Sequence, residues 1–345
     1  MNILFYFFAT NIIILVLFVC SKYFESMSDN INNEVRKIHS KRMIKFGGVT
    51  YLLLAFYYVN LNSYLIQLSI LFSFLFLFLG LIADIKTNFS PAKRLLISSL
   101  FIYLFLELSG LRLIDIGIPL LNQLLQNFPF ISFIFTIIAI LFCINGSNLI
   151  DGQHGLLLGS SIIILVNLIL FTSLDSEYLI IINYITLITV ILFIYNFFTG
   201  SIRVGDNGAY FLGFILSIIT IYMSIENYLS PFHAASILFY PVIEAVFSYL
   251  RRAISNVSPF KPDALHLHSN LYFILINANF LRLRKENANR LSSLLILLTL
   301  SILWLIFYAY RETIVYEIVF ISLIIIYLFF YYLSYFFAKR LLKSL

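Results

Sequence analysis

The chain has 345 residues, of which 61% are hydrophobic and only 11% charged, with a net charge of +6 and a mean hydropathy of +0.99. A soluble domain carries about 25% charged residues, and an aqueous chain this apolar would expose patches that aggregate, so the composition excludes a soluble globular or disordered protein and indicates an integral membrane protein. The basic residues flank apolar runs, where they meet anionic headgroups rather than nucleic acid, and two cysteines in apolar runs, Cys20 and Cys143, exclude a disulfide framework or a zinc site.

In chain order, apolar runs fall at 3–20, 47–59, 64–82, 95–108, 130–146, 155–173, 177–195, 209–225, 233–250, 292–310 and 314–336. Roughly 20 apolar residues are needed to span a bilayer as a helix. The expected fold is therefore an all-α, polytopic integral membrane protein with about eleven transmembrane helices, residues 1–345 forming one membrane-embedded domain. Met1 to Cys20 lacks a basic leader and a small-residue cleavage site, so it is expected to be a retained first helix. Residues 109–129, with Asp115, are expected to lie on the outer surface as an amphipathic stretch. Of 22 lysines and arginines, only Arg112 and Arg311 fall in the alternate gaps that hold Asp115, Asp175, Glu177, Glu226 and Glu312. Basic residues concentrate on the cytoplasmic side. This predicts an outer N-terminus and a cytoplasmic C-terminal tail with Lys339, Arg340 and Lys343.

The gaps on the basic side also gather the polar motifs. The first holds His39, Lys41, Arg42 and Lys45 ahead of Gly47-Gly48. The second runs from Gly80 through Asp84, Lys86, Ser90-Pro91, Lys93 and Arg94. The third is Asn145-Gly-Ser-Asn148-Leu-Ile-Asp151-Gly152-Gln-His154-Gly155. The fourth ends in Arg203-Val-Gly205-Asp206-Asn207-Gly208. The fifth spans Arg251 to Arg290 and contains Asp263, His266 and His268. Acids beside a membrane are costly unless they are paired or bind cations. Carboxylates converging with Lys, Arg, His and glycines on one face suit a phosphorylated ligand with a divalent metal, because Mg²⁺ takes one or two carboxylates plus substrate phosphates and glycine lets a backbone approach phosphate closely.

These motifs resemble the polyprenyl-phosphate N-acetylhexosamine-1-phosphate transferases from about His39 to His268. The resemblance rests on Gly80-Leu-Ile-x-Asp84 with Ser90-Pro91, on Asn145-x-x-Asn148-Leu-Ile-Asp151-Gly152-x-x-Gly155, on Asn196 with Val204-Gly205-Asp206-x-Gly208, and on Pro241-Val242, Arg251-Arg252 and Asp263-x-x-His266-x-His268. It implies transfer of a sugar 1-phosphate from a UDP-N-acetylhexosamine to undecaprenyl phosphate, with Mg²⁺ or Mn²⁺ and release of UMP. It also implies a bacterial plasma-membrane enzyme of surface polysaccharide synthesis, with its active site at the cytoplasmic face and a homodimeric assembly common among relatives. Carried over by motif, Asp206 and Asn148 are the expected metal ligands. Asp84, Asp151, His266 and His268 are expected to be catalytic, and Asn145, His154, Lys93, Arg94, Arg203 and Asn207 to bind substrate. The chain departs from the family pattern at Ala83, where the first of two paired acids stands, at Ser269 in the histidine cluster, at His154 and at Glu244.

Each residue also has a plain structural role open to it. Asp206 and Asp151 suit turns, Asn148 suits a helix cap, Asp84 suits a surface pair with Lys86 or Arg94, and Arg251-Arg252 suits a topology anchor. The two histidines, two positions apart, suit an extended loop. Glu244, about two turns inside a span, should face the bundle and be paired, with an arginine as one candidate partner. Two other functions compete with the transferase: a non-catalytic family member that binds polyprenyl phosphate or regulates a transferase, and a transporter of polyprenol-linked sugars, which would place its polar groups near mid-membrane.

Overall fold

The structure is a computed structural model and describes residues 3–23, 43–58, 60–86, 88–171, 176–256, 258, 265–278, 283–311 and 313–344. His39, Lys41, Arg42, Asp175, Asp263 and Glu312 lie outside the described residues. Each of the eleven apolar runs is mostly helical where it is described. The elements are α1 (Ile3–Tyr23), α2 (Gly47–Tyr58, opening as a 3₁₀ helix), α3 (Tyr64–Ile85), α4 (Pro91–Ser109), α5 (Pro119–Asn127), α6 (Pro129–Ile150) and α7 (Leu156–Phe171). They continue with α8 (Ser176–Ile194, ending in a π turn over Tyr195–Thr199), α9 (Gly205–Ile225), α10 (Pro231–Ile237), α11 (Phe239–Ile254), α12 (Leu267–Asn277), α13 (Lys285–Ala309) and α14 (Tyr316–Ser344).

Among the described residues, seven helices are long and apolar enough to cross a membrane, and eight if α10 and α11 count as one broken span. α2 and α7 are shorter apolar helices. The expected run at 233–250 bends by 81° between α10 and α11. Pro241 accounts for the break: it has no N–H to offer the carbonyl of Ile237, where α10 ends, and its ring crowds that carbonyl. The 109–129 stretch is not one helix; it contains the short amphipathic α5, opened by Pro119. A helix not expected from the sequence, α12, lies in the fifth basic gap and begins one residue after His266.

The core is organised around α9, the most enclosed of the spanning helices. It is flanked by α3, α6, α7, α10 and α2. With no hydrophobic drive separating helix from lipid, close packing across small residues holds such bundles together. At Gly80 of α3 a side-chain carbon would come within 2.3 Å of the Asp206 carbonyl oxygen, and at Gly213 of α9 within 2.6 Å of Ile144 Cα. These two crossings set α3 and α6 against α9. Stacked rings fill the interior, including Tyr51 on Phe211 with centroids 4.5 Å apart and Phe76 on Phe214 at 4.6 Å.

The two ends of the bundle are tied differently. At one end, the Glu177 carboxylate at the start of α8 accepts from the Asn62 and Ser63 backbone N–H groups, holding the entry to α3. At the other end, an extended segment before α2 runs parallel to the segment before α9. Ile44 donates to the Ser201 carbonyl at 3.0 Å, Arg203 donates to the Ile44 carbonyl at 2.6 Å, and Gly48 donates to the Val204 carbonyl at 3.0 Å. The polar motifs lie at this second end.

Candidate active site

The site is built on the N-terminus of α9. The first N–H groups of a helix have no intrahelical partner and carry partial positive charge. Here three successive ones are taken by carboxylates from other helices. The Gly205 N–H donates to Asp151 Oδ2 at 3.1 Å, the Asp206 N–H to Asp84 Oδ1 at 3.2 Å and the Asn207 N–H to Asp84 Oδ2 at 3.1 Å. Asp84 comes from the end of α3 and Asp151 from the end of α6, so three helices converge on one backbone turn. Gly205 makes the turn possible. Its φ is +78°, and a side-chain carbon there would fall 1.9 Å from the Lys45 carbonyl oxygen and 2.8 Å from Asp84 Oδ2.

Asp206, the central acid, is not a turn residue but the second residue of α9. Arg94, in the first turns of α4, donates to its Oδ2 at 2.7 Å and to the Tyr210 hydroxyl at 3.4 Å. Both side chains of the ion pair keep about a fifth of their surface open, 23% for Arg94 and 20% for Asp206, so a ligand can reach them. Arg203 donates through Nε to Asp151 twice, to the carbonyl and to Oδ2, both at 2.9 Å. Asp151 lies just beyond α6 and is buried. Burial pushes its carboxyl up to about 7, with Asp206 and Asp84 adding to the rise and Arg203 opposing it.

The Asn145–Gly155 motif divides between helix and turn. Asn145 and Asn148 lie on α6, which extends four residues past the end of the apolar run because Gly146 and Ser147 pack inward. Asn145 is exposed and donates to its own helix at the Leu141 carbonyl. Asn148 is different: its Oδ1 is buried with no hydrogen-bond partner among the described contacts. Beyond α6, Gln153 donates to the His268 carbonyl at 2.8 Å and accepts from Ser292 and Ser293 of α13. Asn196, in the π turn after α8, accepts from the Gly155 N–H and donates to the Ile202 carbonyl at 2.6 Å. One amide side chain thus staples the 151–155 turn to the segment leading into α9.

Asn207, His154 and Lys93, expected to bind substrate, differ in exposure. Asn207 is fully buried and donates to the Lys45 carbonyl at 3.0 Å and to Asp84 Oδ2 at 2.7 Å. It locks α9 to the neighbouring segment, because the α9 turn directs it inward. His154 is buried beneath α13, its N–H donating to Asn289 at 2.8 Å. Burial, reinforced by Arg290, lowers its imidazole to about 4, so it is neutral near pH 7. Lys93 is exposed at the start of α4, its backbone N–H capped by Ser90.

The histidine pair is not on an extended loop. His266 stands at the N-terminal boundary of α12 and His268 in its first turn, and both are buried. Their rings lie parallel, with centroids 5.3 Å apart and 2° between planes. Glu244 pairs with His266 rather than with an arginine, Oε2 to Nδ1 at 3.1 Å. Glu244, Gln153 and Asn196 are the positions sequence reasoning left without a role. The signal for Glu244 was a carboxyl inside an apolar run, which must find a partner.

The resemblance leads to the expectation of a divalent cation here, and its two expected ligands carry oxygen donors of the right kind. Asp206 is reachable, and the orphaned Asn148 Oδ1 is an oxygen without a proton to accept. Among the described residues no three His, Cys, Asp or Glu side chains converge closely enough to hold a metal alone.

The fold and the site together define a polytopic helical membrane protein whose acids and bases meet at one end of the bundle around a helix N-terminus. The family model for glycosyl transferase family 4 matches residues 66–224, the stretch carrying Asp84, Arg94, Asn148, Asp151 and Asp206. The chain is 27% identical over 248 residues to the probable undecaprenyl-phosphate N-acetylglucosaminyl 1-phosphate transferase of Bacillus subtilis (strain 168), covering 68% of this chain and 67% of that protein. It is 26% identical over 237 residues to the undecaprenyl-phosphate alpha-N-acetylglucosaminyl 1-phosphate transferase of Thermotoga maritima, covering 68% and 69%. It is 29% identical over 171 residues to the phospho-N-acetylmuramoyl-pentapeptide-transferase of Endomicrobium trichonymphae, covering 44% and 46%.

Proposed function

We propose that this protein transfers an N-acetylhexosamine 1-phosphate, with N-acetylglucosamine as the first candidate, from its UDP-sugar to undecaprenyl phosphate at the cytoplasmic face of a bacterial plasma membrane. The product is the lipid-linked sugar that starts a surface polysaccharide. The observation that carries this reading is the α9 N-terminus, where Asp84 and Asp151 fix the backbone that presents Asp206 beside Arg94. The names of the relatives support the acceptor and the transferred group.

In the reaction a phosphate oxygen of the lipid attacks the sugar-linked phosphorus, a P–O bond forms, and the P–O bond to the leaving UMP breaks. Such a transfer needs positioning and charge neutralisation more than covalent help. Mg²⁺ or Mn²⁺ held by Asp206 and Asn148 would supply Lewis-acid neutralisation of the donor pyrophosphate. Arg94 adds a fixed positive charge at the same acid. Arg203 is held on Asp151 and keeps the turn before α9 in place. Ala83 leaves no carboxylate at that position to take a proton, but the lipid phosphate has a second pKa of about 6 and reaches neutral pH largely as the dianion.

The test is UMP release by purified protein with undecaprenyl phosphate, Mg²⁺ and a panel of UDP-N-acetylhexosamines, alongside the Ala83→Asp variant. Turnover by the wild type is the expected result and names the sugar. Silence in the folded wild type and in the variant, while a relative works in the same assay, overturns the transferase reading in favour of a non-catalytic role.

A further inference from the structure

We infer that Glu244, seated inside α11 away from the α9 turn, is a positioning residue of the candidate site: it holds the His266 ring and, through the ring stack, sets the pose of His268 against the Asp151–Gly155 turn. The inference rests on the function proposed above for the catalytic arm of its test, and on geometry alone for the other.

α11 buries a polar stripe where an apolar one would pack more cheaply. Glu244, Ser248 and Arg252 fall four residues apart, so they share one helix face, and all three are buried. Only 1% of Glu244 is exposed, and a carboxyl at that depth is costly unless it serves a specific contact. Its Oε2 meets His266 Nδ1 at 3.1 Å, with the hydroxyl-bearing rings of Tyr240 and Tyr327 beside the same carboxyl.

The surrounding bonds show what this contact adds. The Leu265 carbonyl accepts from the Tyr331 hydroxyl at 3.1 Å and from Arg251 at 3.2 Å, which fixes the backbone before His266. The His268 carbonyl accepts from Gln153. Those bonds hold the chain but do not orient an imidazole. Glu244 does, by engaging one ring nitrogen. A carboxylate at Nδ1 selects the Nδ1–H form and leaves Nε2 as the nitrogen that faces a ligand. His266 lies parallel on His268, so a fixed His266 plane fixes its neighbour. His268 in turn reaches the site: its Nε2 would be 3.9 Å from a side-chain carbon at Gly152, next to Asp151. The chain from Glu244 through His266 and His268 to the 151–155 turn is continuous. The ligand chemistry it serves is an anionic phosphate oxygen.

The experiment uses full-length protein in detergent with ¹⁵N-labelled histidine and four variants: Glu244→Leu, Glu244→Asp, Tyr331→Phe and, to assign the signals, His266→Gln. At a fixed pH of about 8, above the ordinary histidine value, wild type is expected to carry its His266 proton on Nδ1. Glu244→Leu is expected to move it to Nε2, with Glu244→Asp retaining Nδ1–H. Turnover of Glu244→Leu is expected to fall about 10–100-fold, the usual loss when an outer partner of a site histidine is removed, with KM for the UDP-sugar changed less than about threefold and Glu244→Asp recovering part of the loss. Tyr331→Phe is expected to lower thermal stability and leave the tautomer unchanged. An unmoved His266 proton in Glu244→Leu overturns the inference, as does turnover within twofold of wild type in that variant. If neither wild type nor Ala83→Asp releases UMP with any donor while a relative works, the transferase reading fails and the nitrogen signals alone decide whether Glu244 sets the imidazole.

Discussion

Replacing Asp84 by alanine separates two roles that the carboxyl has been assigned. In the structure it receives the backbone N–H groups of Asp206 and Asn207 and the Asn207 side-chain amide. Asn207 Nδ2 keeps the Lys45 carbonyl when Asp84 is gone, so the variant strands two backbone donors. Each stranded buried donor costs about 1–3 kcal/mol. The turn is partly buried and water reaches some of it, and removing one of three neighbouring carboxylates relieves repulsion. Both effects place the sum near the lower bound, about 2–3 kcal/mol. In a chain of this size that lowers the unfolding temperature by about 3–4 °C. A thiol-reactive dye reports it directly, since Cys143 is buried and becomes reactive on unfolding. UMP release should fall together with stability, because Asp206 loses the anchor of its own N–H. Asp84→Asn, which keeps one carbonyl oxygen, should lose about 1 kcal/mol. An unchanged unfolding temperature with abolished turnover would refute the anchoring role and make Asp84 a group that acts on the reactants. Unchanged values of both would refute any role at this turn.

Gly205→Ala should prevent recovery of monodisperse protein in size-exclusion chromatography, because φ of +78° costs an alanine about 1–2 kcal/mol and its side-chain carbon would overlap the Lys45 carbonyl oxygen at 1.9 Å; normal recovery would mean the turn can rearrange. Asp151 and His154 set opposing pH dependences. A carboxyl raised to about 7 contributes stability that is complete below its ordinary value near 4 and is lost as pH rises to 7, whereas a histidine lowered to about 4 contributes stability that is complete above 6.5 and is lost as pH falls to 4. Asp151→Asn should remove the carboxyl's share and so lose on the order of 3 kcal/mol more than wild type on acidification from pH 6.5 to 4, and a pH profile parallel to wild type in that variant would contradict the burial of the Asp151 carboxyl. Chelation with EDTA should abolish UMP release and Mg²⁺ should restore it, with Asn148→Ala raising the Mg²⁺ concentration for half-maximal rate about 10-fold or more; an unshifted Mg²⁺ dependence removes Asn148 from the metal.

Hydropathy located the long helices but not α12, because a bilayer requires about 20 apolar residues in a self-satisfied helix: the runs at 64–82 and 130–146 became α3 and α6, and the polar motifs at the ends of the runs are where Asp84, Asp151 and Asp206 meet. Motif spacing also marked these three acids and Arg94 as neighbours in one site. It did not reveal that Asp84 and Asp151 hold backbone N–H groups of α9, because the sequence distance between Asp84 and Asp206 is bridged only when Gly80 lets α3 press against the start of α9. Nor did it reveal that Asn207 and His154 turn inward, since a polar residue beside a glycine turn reads the same whether it faces a ligand or another helix. The break between α10 and α11 was written in Pro241, but its angle depends on what the two pieces pack against. The partner of Glu244 was decided entirely by tertiary structure: a buried carboxyl announces that it needs a donor, and only the docking of α12 on α13 and α14 determines that the donor is the Nδ1 of His266.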